Sequence, residues 1–270
     1  MSDNKPNGIL FAIKEVRAFV RAETGLFVSG IALSGYLLFN NISLAAFFVM
    51  AAAFFSSCAI YSYNHLKDKK EDLVNNERIN HFAAGRSGHY ITAACICLSF
   101  MFSLFLFLFS FLAYFVSLAC GMLYSAFRMK TFYFFKNIYT GLVFSIVFLM
   151  GEVAAGIFTY EMVEYLAVPF LAGIILNLLG DIRGHKGDRS AGLKTLPVTI
   201  GVERAKLILH VVVWSLVLLI SVRYTTLLSM VPFLVMLSVF LINNNMKVTR
   251  ACILLSFVTV PVFLMVIKWI

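Results

Sequence analysis

Long hydrophobic runs alternate with short polar segments along the whole chain. A helix needs about 20 apolar residues to span a bilayer, and runs of about that length recur about nine times. The predicted spans are residues 25–42, 44–63, 90–110, 111–127, 139–158, 165–182, 205–222, 225–243 and 251–270. The two-residue alternation of membrane β-barrels is missing from the sequence, so the spans are expected to be helical. The pattern predicts an all-α, polytopic membrane protein in which residues 1–270 form a single membrane domain.

Composition supports a membrane protein. Of the 270 residues, 61% are hydrophobic and only 13% are charged, and the mean hydropathy is +0.91. A soluble fold of this size could not bury that much apolar surface. The five cysteines all lie within predicted spans and lack the spacing of metal ligands, which favours packing thiols. Residues 9–21 carry interspersed charges and are expected to form an amphipathic helix at the membrane interface.

The distribution of positive charge predicts the orientation of the chain. Of the 22 Lys and Arg residues, 20 lie in the N-terminal segment and in the loops after the second, fourth, sixth and eighth spans, and only Arg223 and Lys268 lie on the other side. By the positive-inside rule, the N-terminus is cytoplasmic in the cell membrane and the C-terminus is outside. The net charge of +9 suits anionic lipid headgroups and an anionic substrate. Nucleic acid is excluded as a partner because the basic residues are scattered over several short loops.

Two acidic clusters follow predicted spans on the cytoplasmic side. Carboxylates are costly near hydrocarbon and persist there mainly where they have a function. In the first cluster, Asn64, Asp68 and Asp72 recur every four residues and would share one helix face. In the second, the spacing of four, four and three also predicts one face if the helix continues through a glycine; its members are Asn177, Asp181, His185 and Asp188.

Two such faces on one side of the membrane indicate a shared site for divalent cations and a strongly anionic group. Oxygen ligands at this spacing suit Mg²⁺, which also binds phosphate oxygens. A diphosphate in a membrane cavity implies a lipid-tailed substrate whose leaving charge is neutralised by Mg²⁺ and basic side chains. Aromatic faces near the same helix ends could stabilise an allylic carbocation. The candidate cations are Lys67, Arg183, Lys186 and Arg189, and the candidate aromatics are Tyr61, Tyr63, Tyr124 and Phe127.

These residues resemble the two signatures of the UbiA superfamily of intramembrane prenyltransferases. The first cluster is similar to the family's Asn-Asp-x-x-Asp-x-x-x-Asp motif, and residues 187–198 resemble its Gly-Asp-Arg-x-x-Gly motif with a following Thr-Leu-Pro-Val run. The resemblance implies a helical bundle around a central cavity and Mg²⁺-dependent transfer of a polyprenyl group from its diphosphate to a small acceptor. The candidate metal ligands are Asn64, Asp68, Asp72, Asn177, Asp181 and Asp188. The candidate diphosphate ligands are Asn64, Lys67, Arg78, Tyr124, Lys130, Arg183, Lys186 and Arg189, and the expected catalytic residues are Asp68, Asp181 and Lys130.

The chain also departs from the family pattern. His65 stands where many members carry a second Asp, and Asn177 stands where an acid is common. Gly184 and His185 interrupt an acidic run, and Asn80-His81 replaces an Arg-Pro pair. These departures leave open a non-catalytic member of the same fold.

Three further alternatives concern function. The resemblance of residues 21–24 and of the Gly-Asp-Arg stretch favours a glycerol-phosphate lipid as acceptor, as in ether-lipid synthesis. An aromatic acceptor of quinone-type biosynthesis is the second alternative. A secondary transporter is the third, but transporters usually place their acids near the bilayer midplane rather than at one face. The expected partners are therefore a polyprenyl diphosphate, a small acceptor and the bilayer, and the sequence leaves the oligomeric state open.

Overall fold

The fold is built from α-helices joined by short turns. The computed structural model describes residues 8–68, 80–127, 129–131, 133, 135–156 and 158–269, with the backbone alone described for Lys130 and Trp269. Every regular element within those residues is helical. The long helices are α2 Ala22–Phe39, α3 Leu44–Lys67, α5 Ser87–Ser103, α6 Leu108–Ala126, α7 Phe135–Glu152, α9 Ala167–Ser190, α11 Val202–Arg223, α12 Val231–Ile242 and α13 Met246–Trp269. The short helices are α1 Gly8–Phe19, α4 His81–Ala84, α8 Tyr160–Tyr165 and α10 Leu196–Ile200, with 3₁₀ turns at Met129–Thr131, Val153–Ala155 and Thr225–Met230.

The expected all-α membrane architecture is confirmed. Eight helical segments in the described part of the chain are long and apolar enough to cross a membrane, and α5 is a shorter apolar helix. This agrees with the prediction of about nine spans. The α1 helix exposes Ile9, Leu10 and Ile13, as expected for an interfacial helix, and it is tied to α4 because Asn80 donates its amide N–H to the carbonyl of Glu15 at 2.9 Å.

The α9 helix extends beyond its predicted end at residue 182 and stops at Ser190. Gly184 does not break it, although a helical glycine costs about 1 kcal/mol relative to alanine. The true stop is Gly192, whose φ of 69° is the left-handed conformation that favours glycine. Leu193 donates its N–H to the carbonyl of Asp188 at 2.8 Å, and Gly192 donates to that of Arg189 at 3.2 Å, which together form a Schellman motif. The acidic residues of the second cluster therefore lie on one continuous helix.

The α2 and α7 helices cross closely at the centre of the bundle. A Cβ atom added to Gly151 would lie 1.9 Å from the carbonyl oxygen of Ala32, and one added to Gly35 would lie 2.3 Å from that of Phe148. Only glycine allows backbones to approach this closely. The α2 helix also packs against α3 and α13, and α7 packs against α6 and α9. Four helices, α3, α6, α9 and α13, thereby pack around the α2–α7 crossing.

Glu152 lies at the end of α7, next to this crossing. The side chain is fully buried, and neither carboxylate oxygen has a hydrogen-bond partner among the described residues. It does not line the cavity described below. The carboxyl of Glu152 is therefore not part of the polar lining of that cavity.

Candidate active site

A cavity of about 390 Å³ lies on one side of the α2–α7 crossing, where six long helices have their ends. It is lined by the starts of α2, α7 and α13 and by the last turns of α3, α6 and α9. The deeper wall is largely apolar, with three serines among residues such as Val28, Ile60, Phe144 and Val147. The outer wall carries nearly all of the charged and amide side chains. A charged rim above an apolar chamber suits a ligand with an anionic head and a hydrocarbon tail.

The first acidic cluster reaches this cavity from the end of α3. Asn64 lies in the last turn of the helix and Asp68 is its C-cap residue, and both line the cavity. The hydroxyl of Ser125 on α6 donates to Oδ1 of Asn64 at 3.0 Å, which fixes the orientation of the amide. Asp72 and Arg78, the other predicted residues of this region, lie outside the described residues.

The second cluster reaches the same cavity from α9. Asn177, Asp181 and Asp188 all line it, whereas His185 does not and instead contacts the carbonyl of Ile182. Asp181 is 5% exposed and forms an ion pair with Lys136 of α7. The amide of Asn177 donates to the hydroxyl of Thr140 at 2.8 Å, so a second polar contact joins α9 to α7. The structure thus brings Asn64 and Asp68 of the first cluster to the same cavity as Asn177, Asp181 and Asp188 of the second.

Tyr124 of α6 lies between the two clusters. Its hydroxyl is within electrostatic range of both Asp68 and Asp181, and its ring centroid is 6.0 Å from that of Tyr139. Tyr61 also lines the cavity, so three tyrosines face the same space. Neither Tyr63 nor Phe127, the other aromatics selected from the sequence, lines the cavity.

The predicted cations fall into two groups. Arg183 lines the cavity. Lys67, Lys186 and Arg189 are exposed and do not line it, and the ammonium of Lys67 lies 5.3 Å from the ring centroid of Tyr63. Lys130 lies in the 3₁₀ turn Met129–Thr131, and its side chain is outside the described structure.

Three basic residues that line the cavity, Arg21, Lys136 and Arg250, were not predicted as site residues from the sequence. Each lies at or near the start of a long apolar helix, where cations are usually interpreted as interfacial anchors. A signal for Lys136 was present, because Asn137, Tyr139 and Thr140 follow it and make this helix start unusually polar. A similar signal precedes Arg250, because three asparagines and Lys247 make that helix start polar as well.

The donor atoms of the cavity fit a hard cation that keeps several water ligands. Oδ2 of Asp181 is buried and has no hydrogen-bond partner among the described residues, so it is available as a ligand. Asn64 Oδ1 accepts one hydrogen bond and retains a second lone pair. The described residues contain no group of three or more His, Cys, Asp and Glu side chains that could hold a metal by themselves. A bound Mg²⁺ would therefore take its other ligands from water and from substrate phosphate, as it usually does.

Known proteins agree with this architecture. The model of the UbiA prenyltransferase family matches residues 25–265. The chain belongs to the UbiA prenyltransferase family. The resemblance seen in the two motifs is thereby confirmed. The expected enzyme class, a prenyltransferase, is confirmed as well.

Individual UbiA proteins are more distant. A digeranylgeranylglyceryl phosphate synthase of Methanoregula boonei is 36% identical over 88 residues, which are 32% of this chain and 31% of that protein. A UbiA homolog from Archaeoglobus fulgidus bound to GPP and Mg²⁺ has a TM-score of 0.71 at 17% identity, over 93% of this chain and 99% of the other. The apo structure of a UbiA homolog from Aeropyrum pernix K1 has the same TM-score at 18% identity, also over 93% and 99%. The chain therefore has the UbiA fold.

Proposed function

We propose that this UbiA protein is a Mg²⁺-dependent prenyltransferase that moves a polyprenyl group from its diphosphate to a glycerol-phosphate lipid. One observation carries the proposal: the oxygen-rich ends of α3 and α9 line a single cavity that is apolar at its deeper end. An anionic head and an isoprenoid tail would both find matching surface there. The homolog from Archaeoglobus fulgidus with GPP and Mg²⁺ bound gives a precedent for both ligands in this fold.

The residues proposed to hold the metal come from both helix ends. Asn64 and Asp68 would hold it on the α3 side and Asp181 and Asp188 on the α9 side, with Asp72 as a further candidate. When bound, Mg²⁺ would neutralise the charge that develops on the leaving diphosphate. The amide nitrogen of Asn177 donates to Thr140 and to the carbonyl of Lys136, so its Oδ1 is the atom that could bind the metal.

The chain's own side chains would bind and orient the reacting groups. Lys136 neutralises Asp181 within the described structure, and its ammonium lies beside the space proposed for the diphosphate. The rings of Tyr61, Tyr124 and Tyr139 face the cavity, where their negative faces would stabilise a positive allylic carbon. In the reaction, the allylic C–O bond breaks and diphosphate leaves with the electron pair. The acceptor hydroxyl oxygen forms the new ether bond, and its proton passes to the departing diphosphate.

The name of one relative supports a glycerol-phosphate lipid as the acceptor. The digeranylgeranylglyceryl phosphate synthase of Methanoregula boonei is similar over about a third of its length. A glycerol-phosphate acceptor is anionic, which agrees with the net charge of +9 and with the arginines at the cavity rim.

The shape of the cavity argues against a transporter. The lining residues reach Val28 on α2 and Val147 on α7 and extend no further along either helix. About one turn beyond Val28 and Val147, the backbones of Ala32 and Gly151 come into close contact, and Gly35 approaches Phe148 in the same crossing. A ligand would therefore enter and leave on the same side. We place that side, with the N-terminus, in the cytoplasm and the C-terminus outside, which labelling of single cysteines from either side of sealed vesicles tests.

The proposed function is tested by turnover of the purified protein with a prenyl diphosphate, a monoprenyl glyceryl phosphate and Mg²⁺. Asp68→Asn and Asp181→Asn are each expected to lower kcat/KM by about 100-fold or more, because each removes a charge that holds the metal. Glu161→Gln removes an acid at the opposite end of the bundle and is the control. Unchanged turnover in both Asp variants would remove the metal assignment, and absence of product from the wild type with every prenyl diphosphate would rule out the glycerol-phosphate acceptor.

A further inference from the structure

Three arginines converge at the rim of the cavity from separate parts of the chain. Arg21 lies between α1 and α2, Arg183 on α9 and Arg250 on α13, and all three line the cavity. The guanidinium of Arg250 is within electrostatic range of both others. Within the described residues, none of the three forms an ion pair with a carboxylate. Like charges held together in this way repel one another unless an anion binds between them.

Arg21 has a backbone conformation that few residues other than glycine adopt, and two contacts orient its side chain. Its φ of 49° and ψ of 55° are in the left-handed region, which few residues other than glycine adopt. Its Nε donates to Nε2 of His65 at 3.3 Å, and its guanidinium carbon lies 5.3 Å from the ring centroid of Tyr61. The side chain is therefore oriented toward the cavity before any ligand binds.

His65 explains how the charge of Arg21 is preserved. An imidazole that accepts a hydrogen bond at Nε2 is neutral, so the contact orients Arg21 without neutralising it. An aspartate at this position, as in many family members, would form an ion pair with the same guanidinium. Glu23 is the acid in electrostatic range of Arg250, and it is already paired with Arg17 at 2.5 Å. Among the described residues, the departure at His65 thus leaves the arginine group positive.

The arginines face a different part of the cavity from the proposed metal ligands. Asp181 and Arg183 are two residues apart on α9, which rotates their side chains by about 200° around the helix. Asp181 contacts Lys136 on α7, whereas Arg183 lies near Arg250 on α13. A diphosphate bound between the acidic residues would therefore not occupy the arginine group, which could bind a second anion.

We propose that Arg21, Arg183 and Arg250 form a second anion site that binds the phosphate monoester of the acceptor lipid. The proposal rests on the proposed function and deepens it. Guanidinium groups match phosphate oxygens with paired hydrogen bonds and need no metal to do so. Arg183, selected from the sequence as a diphosphate ligand, is assigned by this proposal to the acceptor instead.

Equilibrium binding to protein in phosphatidylcholine nanodiscs tests the proposal with two unreactive probes. One probe is a monoalkyl glyceryl phosphate ether whose free hydroxyl is methylated, and the other is geranyl S-thiolodiphosphate with Mg²⁺. Arg250→Gln is expected to lower the affinity for the ether phosphate by about tenfold or more, which is the effect of losing a charged hydrogen bond. The affinity for the thiolodiphosphate should stay within about twofold of the wild-type value. His65→Asp is expected to weaken the ether phosphate as well, because it neutralises Arg21. Arg204→Gln removes an exposed arginine on the same side that does not line the cavity, and it should change neither affinity.

Each other outcome overturns the proposal. Equal affinity of wild type and Arg250→Gln for the ether phosphate removes the acceptor site but leaves the proposed function standing. If Arg250→Gln lowers the affinity for the thiolodiphosphate to the same extent, the arginines bind the diphosphate of the prenyl donor instead. If phosphatidic acid added to the bilayer displaces the ether phosphate as well as unlabelled ether phosphate does, the arginines bind anionic lipid headgroups in general. A wild type that binds the thiolodiphosphate but not the ether phosphate removes the glycerol-phosphate acceptor together with this site.

Discussion

The ion pair between Lys136 and Asp181 joins the start of α7 to α9 at the cavity end of the bundle. Both side chains are almost completely buried, at 4% and 6% exposure, so each compensates the other's loss of hydration. Oδ2 of Asp181 remains without a partner in the described structure, which leaves the carboxylate able to bind a second cation. Loss of either partner alone would therefore leave an uncompensated buried charge at the position where the metal is proposed to bind.

Replacement of the lysine by methionine tests this interpretation. Lys136→Met should lower the free energy of unfolding by about 3–5 kcal/mol, because it leaves a buried carboxylate uncompensated. The double variant Lys136→Met/Asp181→Asn should recover much of that loss, since no charge is then left unpaired. Thermal and denaturant unfolding in detergent measures both.

Magnesium distinguishes the proposed role of Asp181 from a purely structural one. Mg²⁺ should raise the melting temperature of Lys136→Met more than that of the wild type, because the metal can replace the missing cation. The double variant should lack this response. An equal response of all three proteins would contradict a metal ligand at Asp181.

The motif residues were predictable from sequence spacing, and the cations that surround them were less so. Asn64, Asp68, Asp181 and Asp188 were selected from i, i+4 and i+3 periodicity, and the structure places all four at the cavity. Lys136 was missed because a lysine at a helix start is usually interpreted as an interfacial anchor, although the polar residues that follow it are a signal against that interpretation.

Helix ends determine which residues can meet in this bundle. The predicted spans located every long helix, but several ends differed, most clearly in α9. Hydropathy falls at Gly180 and the charged residues after it, whereas the hydrogen-bonded helix continues to the Schellman motif at Gly192. Hydropathy reports where apolar side chains end, and capping residues report where the helix ends.

The α2–α7 crossing predicts that a side chain at Gly151 destabilises the packing of the two helices. Gly151→Ala should lower the free energy of unfolding by about 1–3 kcal/mol or more, because the new Cβ would overlap the carbonyl of Ala32 and force the helices apart. Gly180→Ala is the matched control, since nothing lies within 4 Å of a Cβ at that helical position. The control should be neutral or slightly stabilising. Equal melting temperatures for the two variants would show that the crossing tolerates a side chain.

The whole molecule holds a polar site at one end of an apolar bundle. Most of the architecture follows from hydropathy alone, because a chain this apolar must satisfy its backbone in helices. Which helices surround the cavity does not follow, since packing between α2, α7 and α13 depends on small residues and on contacts far apart in sequence. The single domain over residues 1–270 stays a prediction, which the family match to residues 25–265 supports for most of the chain.

The central claim is that the acidic ends of α3 and α9 hold a divalent cation and a diphosphate between them. Its most direct test is a crystal structure with Mn²⁺ and geranyl S-thiolodiphosphate, with the metal located by its anomalous scattering. We expect an anomalous peak within coordination distance of Asp68 and Asp181, with diphosphate oxygens in the same coordination sphere. Metal and diphosphate bound outside the cavity, or a diphosphate bound there by arginines without metal, would contradict the claim.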